Sequence, residues 1–334
     1  MTEPIAVVGA GSWGTTLAIH LAELGRPVTL WVREPELAEE MARDRENRWF
    51  LPGYTLPETL TPTNDLSLAG SATTVLSVVP TFGARAVLRA LEPHLPPSTL
   101  LITASKGIEQ DSLQTVGGIM TEEIPSGKRR AIVALSGPSF AKEVAGKLPT
   151  ALVAASADAE AASAVQALFN TSYFRVYTNR DILGVELAGA HKNVVAIACG
   201  VSDGLELGFS ARSALIARGL AEMSRLGVAM GGDAQTFAGL AGLGDLVLTC
   251  TGALSRNRSV GLKIGQGMSL EAIFKETDEV AEGVKTTPAI VALGAKYGVE
   301  LPIAEQVAAI LYREKAPLVA VEKLMARDPK AETD

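Results

Sequence analysis

The chain is poor in cysteine and histidine, carries no excess of positive charge and has no long apolar run. Its only cysteines, Cys199 and Cys250, lie in no metal-ligand or C-x-x-C pattern, and its three histidines are scattered, so we expect free thiols and no metal site. The formal net charge of −7 lacks the basic field of most nucleic-acid-binding proteins, so no such partner is expected. A membrane span is not expected either, because no stretch of about 18 or more uncharged apolar residues occurs.

The first predicted strand follows the amino terminus closely and leaves no room for a signal peptide, so we expect a cytoplasmic protein. With 334 residues, of which 47% are hydrophobic and 20% charged, the chain is long enough for two globular domains. A substrate can still be anionic, because local cations matter more than the total charge.

A glycine motif near the amino terminus organises the rest. Apolar residues 5–8 predict a short buried strand, Gly9-x-Gly11-x-x-Gly14 follows, and helical spacing continues from Thr15 to Leu24. In a dinucleotide-binding unit the first glycine permits the turn, the second lets a pyrophosphate approach, and the third lets the helix pack on the strand. The phosphates then lie at the amide-rich helix start. An ordinary glycine turn is the alternative, but the second strand that follows favours a dinucleotide site.

That second strand, predicted over 27–32, ends next to Arg33. An NAD-preferring protein usually places a carboxylate here for the ribose 2′-hydroxyl, whereas an arginine can bind the 2′-phosphate of NADP. Arg33 therefore points to NADPH, although a solvated arginine beside Glu34 and Glu36 is the alternative.

The pattern of apolar segments divides the chain in two. Further strands are predicted over 74–79, 100–104, 131–135, 151–155 and 174–177, with a proline-broken loop over 51–62. After about residue 180 no strand is predicted, and segments rich in Ala, Leu and Gly predict helices. We expect a Rossmann-type α/β domain with a mostly parallel sheet over 1–180 and an all-α domain over 181–334, with Asp181 as the N-cap of its first helix.

Two predicted strands deliver polar residues at their carboxyl ends, where ligands bind in open α/β sheets. Lys106, next to Gly107, is either an anion contact or a surface lysine. The turn 136–141, Ser-Gly-Pro-Ser-Phe-Ala, offers space and backbone donors for a ligand, although it could equally be a tight connection.

The predicted helical part begins with a lysine in a mostly apolar segment. Helical geometry places four residues on one face, with Lys192 at its edge: Glu186, Gly189, Ala190 and Asn193. Because burying an unpaired charge is disfavoured, we expect Lys192 to line a substrate cleft. The alternative is a lysine whose amine reaches out to water.

Farther along, a glycine loop is predicted to end in Asp245, with Thr249 on the same side of the helix that follows. The segment 255–258, Ser-Arg-Asn-Arg, gathers two cations, an amide and a hydroxyl. Arginine can bind phosphate oxygens in a bidentate way, so this segment suits a phosphate, with a solvated basic loop as the alternative.

With these motifs in this order, the chain resembles the soluble, NAD(P)-dependent glycerol-3-phosphate dehydrogenases of bacteria. The resemblance covers nearly the whole chain and is carried by residues 9–14, 105–107, 136–141, 191–193, 244–250 and 255–258. It implies reversible reduction of dihydroxyacetone phosphate to sn-glycerol 3-phosphate by NADPH or NADH, at the entry to glycerophospholipid synthesis. It also implies a homodimer.

The resemblance assigns roles to individual residues and makes Lys192 the acid/base residue. The family's substrate-binding positions match Lys106, Gly137, Ser139, Asp245, Ser255, Arg256 and Asn257. Its cofactor-site positions match Ser12, Trp13, Arg33, Lys106, Ala141, Arg256, Val280 and Glu282. From their places in the motifs we add Gly9, Gly11 and Gly14 to the cofactor site, and Lys192, Asn193 and Thr249 to the substrate site.

The chemistry of the reduction fits these residues. Negative charge builds on the carbonyl oxygen as hydride reaches the carbon, and an ammonium at Lys192 can supply the proton. For the reverse step the amine must be neutral, which calls for a pKa of roughly 7 to 8 instead of about 10.4. Burial and Lys106 would lower this pKa and Asp245 would raise it, and the sequence leaves that balance open. We hypothesise that Lys106 polarises the carbonyl and Asp245 orients Lys192.

Two other interpretations remain open. A hydroxyacid or sugar-acid dehydrogenase of the same two-domain plan would also place a lysine on the first helix of the second domain, and only residues 255–258 favour a phosphate. A redox-sensing regulator would bind the dinucleotide without turning it over, which leaves Lys106, Lys192 and Asp245 unexplained.

Overall fold

The computed structural model describes residues 4–276, 281–329 and 331–332. Over these residues, the N-terminal region is built on an eight-stranded, mostly parallel sheet, and the C-terminal region is helical. The predicted fold class is therefore confirmed. Val280, predicted at the cofactor site, lies outside the described residues.

The strands occupy the N-terminal region. In chain order they are β1 (Ile5–Val8), β2 (Val28–Trp31), β3 (Glu46–Asn47), β4 (Leu51–Thr55), β5 (Leu60–Thr63), β6 (Thr74–Ser77), β7 (Thr99–Thr103), β8 (Arg129–Ser136), β9 (Thr150–Ala155) and β10 (Phe174–Asn179). The main sheet has the order β10-β9-β8-β7-β6-β1-β2-β5, and β3 pairs with β4 in a separate hairpin. Within the main sheet, only the β8–β9 pair is antiparallel.

The helices of the N-terminal region are α1 (Ser12–Glu23), α2 (Pro35–Asp44), α3 (Leu66–Gly70), α4 (Thr81–Leu91), α5 (Val116–Glu123), α6 (Ala141–Ala145) and α7 (Ala159–Phe169), with a 3-10 turn at Glu92–His94. Those of the C-terminal region are α8 (Ile182–Gly204), α9 (Gly208–Ala229), α10 (Ala234–Ala238), α11 (Asp245–Thr251), α12 (Arg256–Gly265), α13 (Leu270–Glu276), α14 (Glu282–Tyr297), α15 (Pro302–Tyr312) and α16 (Pro317–Met325). A π-helical turn, Leu240–Gly244, precedes α11.

The part of the sheet that runs β5-β2-β1-β6-β7-β8 has the strand order of a dinucleotide-binding fold, and the order reverses between β1 and β6. Side chains alternate between the two faces, because successive residues of a strand point in opposite directions. Ile5 and Val7 join the apolar cluster beneath α1, whereas Ala6 and Val8 join the cluster beneath α4 and α5. The ligand crevice of such a sheet lies beyond the carboxyl ends of β1 and β6.

The predicted loop over 51–62 is wrong. It contains β4 and β5, and β5 forms an edge of the main sheet beside β2. Prolines 52 and 62 suggested an irregular segment because proline cannot donate a hydrogen bond to a sheet ladder. An edge strand or a short hairpin has positions where no neighbouring strand needs a hydrogen bond from the backbone, so both prolines are tolerated there.

Helix α8 is the centre of the C-terminal region. Asp181 caps its start as predicted, accepting a hydrogen bond from the Gly184 amide at 2.7 Å. The helix packs against α9, α11, α12 and α14, and it crosses α12 so closely that a side chain at Gly200 would lie 2.1 Å from the Arg258 carbonyl oxygen. It is long and apolar enough to cross a membrane, but 89% of the residues in its most apolar 18-residue stretch are buried inside the protein.

Candidate active site

The turn between β1 and α1 has the geometry of a phosphate cradle. Gly9 has a φ of +113°, and a side chain at Gly14 would lie 1.9 Å from the Gly9 carbonyl oxygen, so both positions require glycine. A side chain at Gly11, in contrast, would meet no protein atom within 4 Å. Packing therefore does not explain Gly11, and the turn leaves open space beside the free amides of the helix start, as the close approach of a pyrophosphate would require.

Three predicted cofactor residues gather beside this turn. The Thr16 hydroxyl lies 2.8 Å from the Ser12 carbonyl oxygen and 3.2 Å from that of Ala141, so the starts of α1 and α6 lie side by side. Trp13 packs on the core beneath α1, and its buried indole N–H has no hydrogen-bond partner among the described residues. Ser12, Trp13 and Ala141 thus meet at the same edge of the sheet.

Arg33 follows β2 at this edge. Its side chain is 75% exposed and pairs with Glu34 at 2.5 Å, which is the contact expected of a solvated arginine. An exposed pair contributes only about 0–1 kcal/mol, so it does not keep the guanidinium from a phosphate.

The two predicted catalytic lysines meet at one carboxylate. The Lys106 amine, just beyond β7, donates to Asp245 Oδ2 at 2.7 Å and to the Gly137 carbonyl oxygen at 3.1 Å. The Lys192 amine, on α8, donates to Asp245 Oδ1 at 2.6 Å and to the Thr249 hydroxyl at 2.7 Å. The structure therefore brings together residues from a strand end, α8 and α11, which the sequence assigned to one site.

Burial and charge set the protonation of this cluster. The side chains of Lys192 and Asp245 are 7% and 1% exposed. Burial, reinforced by the charge of Lys106 and opposed by that of Asp245, lowers the pKa of Lys192 to about 8. Burial alone would raise the pKa of Asp245, but the two lysines together hold it below its usual range. With both amines protonated and Asp245 ionised, the cluster carries a net positive charge.

A local irregularity places Asp245. The predicted glycine loop before it is a π-helical turn, Leu240–Gly244, in which Gly242 packs against the Phe237 backbone without room for a side chain. Such turns shift the helical register by one residue and are frequent at functional sites. Asp245 then begins α11, and one helical turn later the Thr249 hydroxyl bonds back to the Asp245 carbonyl oxygen at 2.6 Å.

The two predicted substrate amides connect the helices around the cluster. Asn193 donates to the Lys106 carbonyl oxygen at 3.1 Å, and Asn257 donates to the Asn193 side-chain oxygen at 3.0 Å. The Gly283 amide in turn donates to Asn257 at 2.9 Å. Both amides therefore hold the backbone beyond β7 against α8, α12 and α14.

Only one of the two cations of residues 255–258 is available. Arg258 pairs with Asp203 at 2.7 Å, and Ser255 caps α12 by accepting from the Arg258 amide at 3.2 Å. Arg256 is exposed, and within the described chain its guanidinium has no bonded partner. Asp203, near the end of α8, engages the other cation of this segment, Arg258. On the opposite side Ser139 donates to the Gly137 carbonyl oxygen at 3.1 Å.

Glu282 reaches from α14 to the sheet. It accepts a hydrogen bond from the Thr81 amide at 2.9 Å, at the start of α4, and burial raises its pKa although Arg256 acts to lower it. Sequence reasoning missed Thr81. The sequence feature that could have indicated it is its position directly after Pro80, at the end of the segment that leads from β6 to α4 beside the crevice.

A dinucleotide-binding sheet whose strand ends face a helical region, with two lysines around one carboxylate, defines an NAD(P)-dependent dehydrogenase of a two-part design. A family model described as the NAD-dependent glycerol-3-phosphate dehydrogenase N-terminus matches residues 4–162, and its C-terminal counterpart matches residues 181–322. The chain belongs to this family.

Similar proteins agree over the full length. The chain is 56% identical over 333 residues to the glycerol-3-phosphate dehydrogenases (NAD(P)+) of Citrifermentans bemidjiense and Geobacter metallireducens, covering 99% of each chain. The crystal structure of glycerol-3-phosphate dehydrogenase from Coxiella burnetii superimposes with a TM-score of 0.93 at 41% identity, covering 98% of this chain and 99% of that one. The prediction of an NAD(P)-dependent glycerol-3-phosphate dehydrogenase is confirmed, and it prevails over the hydroxyacid dehydrogenase and the redox-sensing regulator.

The buried carboxylate generates a prediction about stability. Asp245→Asn leaves two ammonium groups without an anion, and removing one partner of a buried pair costs about 3–5 kcal/mol. Because Asp245 raises the pKa of Lys192, this pKa lies below about 8 in the variant. The cost is therefore full only below the variant's pKa, and it shrinks as the pH rises towards 8 and the buried amine loses its proton. Urea unfolding at a pH well below 7 and at a pH above 8 measures this difference.

The control is Glu271→Gln, which removes an exposed pair with Lys275 and should cost no more than about 1 kcal/mol at either pH. A cost for Asp245→Asn that matches this control, or that does not change with pH, would contradict the electrostatic account of the cluster.

Proposed function

We propose that the cluster of Lys106, Lys192 and Asp245 is where this chain interconverts dihydroxyacetone phosphate and sn-glycerol 3-phosphate, with Lys192 as the proton donor and acceptor. The observation that carries the proposal is that one buried carboxylate contacts both amines, at 2.6 and 2.7 Å. A carbonyl oxygen entering between the amines would meet two donors. Bound NADPH or NADH supplies the hydride in the reducing direction.

The residues divide the remaining work. Lys106 polarises the carbonyl, so that negative charge developing on oxygen is stabilised by an ammonium held in a dry site. Lys192 then gives its proton to that oxygen, and Asp245 with Thr249 orients the amine for the transfer. A pKa of about 8 leaves Lys192 mostly charged near neutral pH, while keeping enough neutral amine for the reverse reaction.

The phosphate group has candidate partners on both sides of the cluster. Arg256 is exposed at the start of α12, and Ser139 and Gly137 lie beside Lys106 in the turn after β8. The net positive charge of the cluster favours a dianionic substrate as well as the developing oxyanion. A loss of affinity for dihydroxyacetone phosphate in Arg256→Ala that exceeds the loss of affinity for NADPH supports this placement.

The cofactor lies along the carboxyl edge of the sheet in this proposal. The turn Gly9 to Gly14 holds the pyrophosphate, Arg33 holds the 2′-phosphate of NADP, and Ala141, Arg256 and Glu282 line the nicotinamide end. Support comes from the open space above Gly11 and from Glu282 lying across the crevice on Thr81.

The proposal also covers the domain boundary and the location of the enzyme. The division into domains at 180/181 is supported by β10 ending at Asn179 and Asp181 capping α8. Burial of α8 supports a core helix without a membrane span, which fits a cytoplasmic enzyme. The proposed reaction fits supply of glycerol 3-phosphate for glycerophospholipid synthesis.

Replacing Lys192 with Ala should lower kcat by about 100- to 10,000-fold in both directions, because general acid and base catalysis is lost. NADPH affinity, measured by fluorescence titration, should stay within about twofold of wild type. In the wild-type enzyme, oxidation of glycerol 3-phosphate should rise with pH through about 8, as the amine becomes neutral. Lys275→Ala, at an exposed lysine, is the control, and retained turnover in Lys192→Ala would refute the assignment.

Arg33→Ala should raise the KM for NADPH by about 10- to 100-fold, since a charge-assisted contact is worth about 1.5–3 kcal/mol. The KM for NADH should hardly change, because NADH has no 2′-phosphate. Arg43→Ala is a matched control, since Arg43 is 69% exposed and pairs with the next residue, Asp44, just as Arg33 pairs with Glu34. Equal effects on both cofactors would argue against a 2′-phosphate contact.

We locate the interface of the proposed homodimer at the exposed start of α9. Phe209 is 77% exposed there, close to Leu207 at 37%. Phe209→Arg should convert a dimer into a monomer in light scattering, whereas Leu318→Arg, at a 56% exposed leucine of α16, should not. A wild-type protein with the mass of one chain would exclude the dimer, and a dimeric Phe209→Arg variant would exclude this surface.

A further inference from the structure

Glu186 is a buried carboxylate that lies between the two regions of the protein, and the proposed reaction gives it no role. It lies on α8 and is 7% exposed. Its carboxylate accepts hydrogen bonds from the Gly117 amide at 2.7 Å and from the Thr115 hydroxyl at 2.8 Å. Thr115 is the N-cap of α5, so a side chain of the C-terminal region binds the start of a helix in the N-terminal region.

The contact is built for close approach. A side chain at Gly117 would lie 2.6 Å from a Glu186 carboxylate oxygen, so a larger residue there would push the carboxylate aside. Burial raises the pKa of Glu186 to about 7, and only the two hydrogen bonds act against this shift. An apolar side chain would fill such an interface at less cost, so stability alone does not account for a carboxylate here. Directional hydrogen bonds to a helix start instead specify where α8 lies.

The same face of α8 continues to the catalytic cluster. A side chain at Gly189 would lie 3.4 Å from Cγ of Lys106, and Asn193 donates to the Lys106 carbonyl oxygen at 3.1 Å. Glu186, Gly189 and Asn193 thus follow one another along the line where α8 meets the sheet. Lys192 lies six residues beyond Glu186, about 9 Å along a rigid helix, so a shift or rotation at Glu186 moves its amine.

We propose that Glu186 is a positioning residue for the reaction: held by Thr115 and Gly117, it sets α8 so that Lys192 and Lys106 address one carbonyl. The proposal rests on the roles proposed above for the two lysines. It predicts that loss of this contact slows hydride transfer without weakening cofactor binding.

The test is a single-turnover measurement of NADPH absorbance with enzyme in excess over NADPH and saturating dihydroxyacetone phosphate. The amplitude of the fast phase reports the fraction of NADPH that is bound to competent enzyme, and its rate constant reports the reaction within that enzyme. Glu186→Ala should keep the amplitude and the NADPH affinity but lower the rate constant by about 10- to 100-fold, as expected for misplacement of a catalytic group by about 1 Å. Glu186→Gln should restore the rate to within about threefold, because its amide can bond both partners.

A second variant attacks the contact from the other side. Gly117→Ala displaces the carboxylate, although alanine favours helix over glycine by about 1 kcal/mol, so unfolding of α5 is not the expected cause of its lower rate. The matched control is Glu222→Ala. Glu222 is 2% exposed and accepts from the amides of Ile303 and Ala304 at the start of α15, at 2.6 and 3.3 Å, within the C-terminal region.

Glu222→Ala should lower the unfolding midpoint while leaving the rate constant unchanged. A wild-type rate in Glu186→Ala or Gly117→Ala, or an equal loss of rate in Glu222→Ala, overturns the positioning role. Lys192→Ala in the same assay separates the two proposals. If it keeps its rate, the proposed function fails; if it loses the rate while Glu186→Ala keeps it, only the positioning role fails.

Discussion

The structure depends on one buried carboxylate, Asp245, held between two ammonium groups that come from different regions of the chain. Lys106 lies just beyond the end of a strand and Lys192 on a central helix, yet their amines lie 2.7 and 2.6 Å from the two carboxylate oxygens of Asp245. Each of these charges would be costly to bury alone. When they are buried together, their mutual attraction offsets part of this desolvation cost. The positive charge that remains would stabilise the oxyanion of the proposed reaction.

Burial and charge act against each other at Lys192, and burial prevails. Asp245 alone would hold the amine charged far above neutral pH, but desolvation brings its pKa down to about 8. An amine in this range exchanges its proton in both directions near neutral pH. In the proposed mechanism, Lys192 can therefore serve as acid and as base near neutral pH because its amine is buried, and α8 provides this burial as the buried centre of the helical region.

Much of the fold and part of the site could be predicted because the signals are local. The glycine turn, the strand that precedes it and the helix that follows lie within one short stretch, and each has a distinct pattern. The two prolines of 51–62 misled, because their effect depends on whether a strand is an edge, and only the assembled sheet decides that. Similarly, the sequence does not show that Arg258 pairs with Asp203, because α8 brings that carboxylate to 2.7 Å from it only in the folded chain.

The sequence by itself determined the dinucleotide turn, the change from strands to helices near residue 180, and which side chains could carry charge chemistry. These follow from glycine's backbone freedom and from hydrophobic periodicity, which are properties of neighbouring residues. Only the tertiary structure decided that the Asp245 carboxylate bonds to both lysines, that a π-helical turn precedes this carboxylate, and that Glu186 binds the start of α5. Distances between residues far apart in the chain, and the dielectric around them, arise from packing, and they set the protonation on which the chemistry depends.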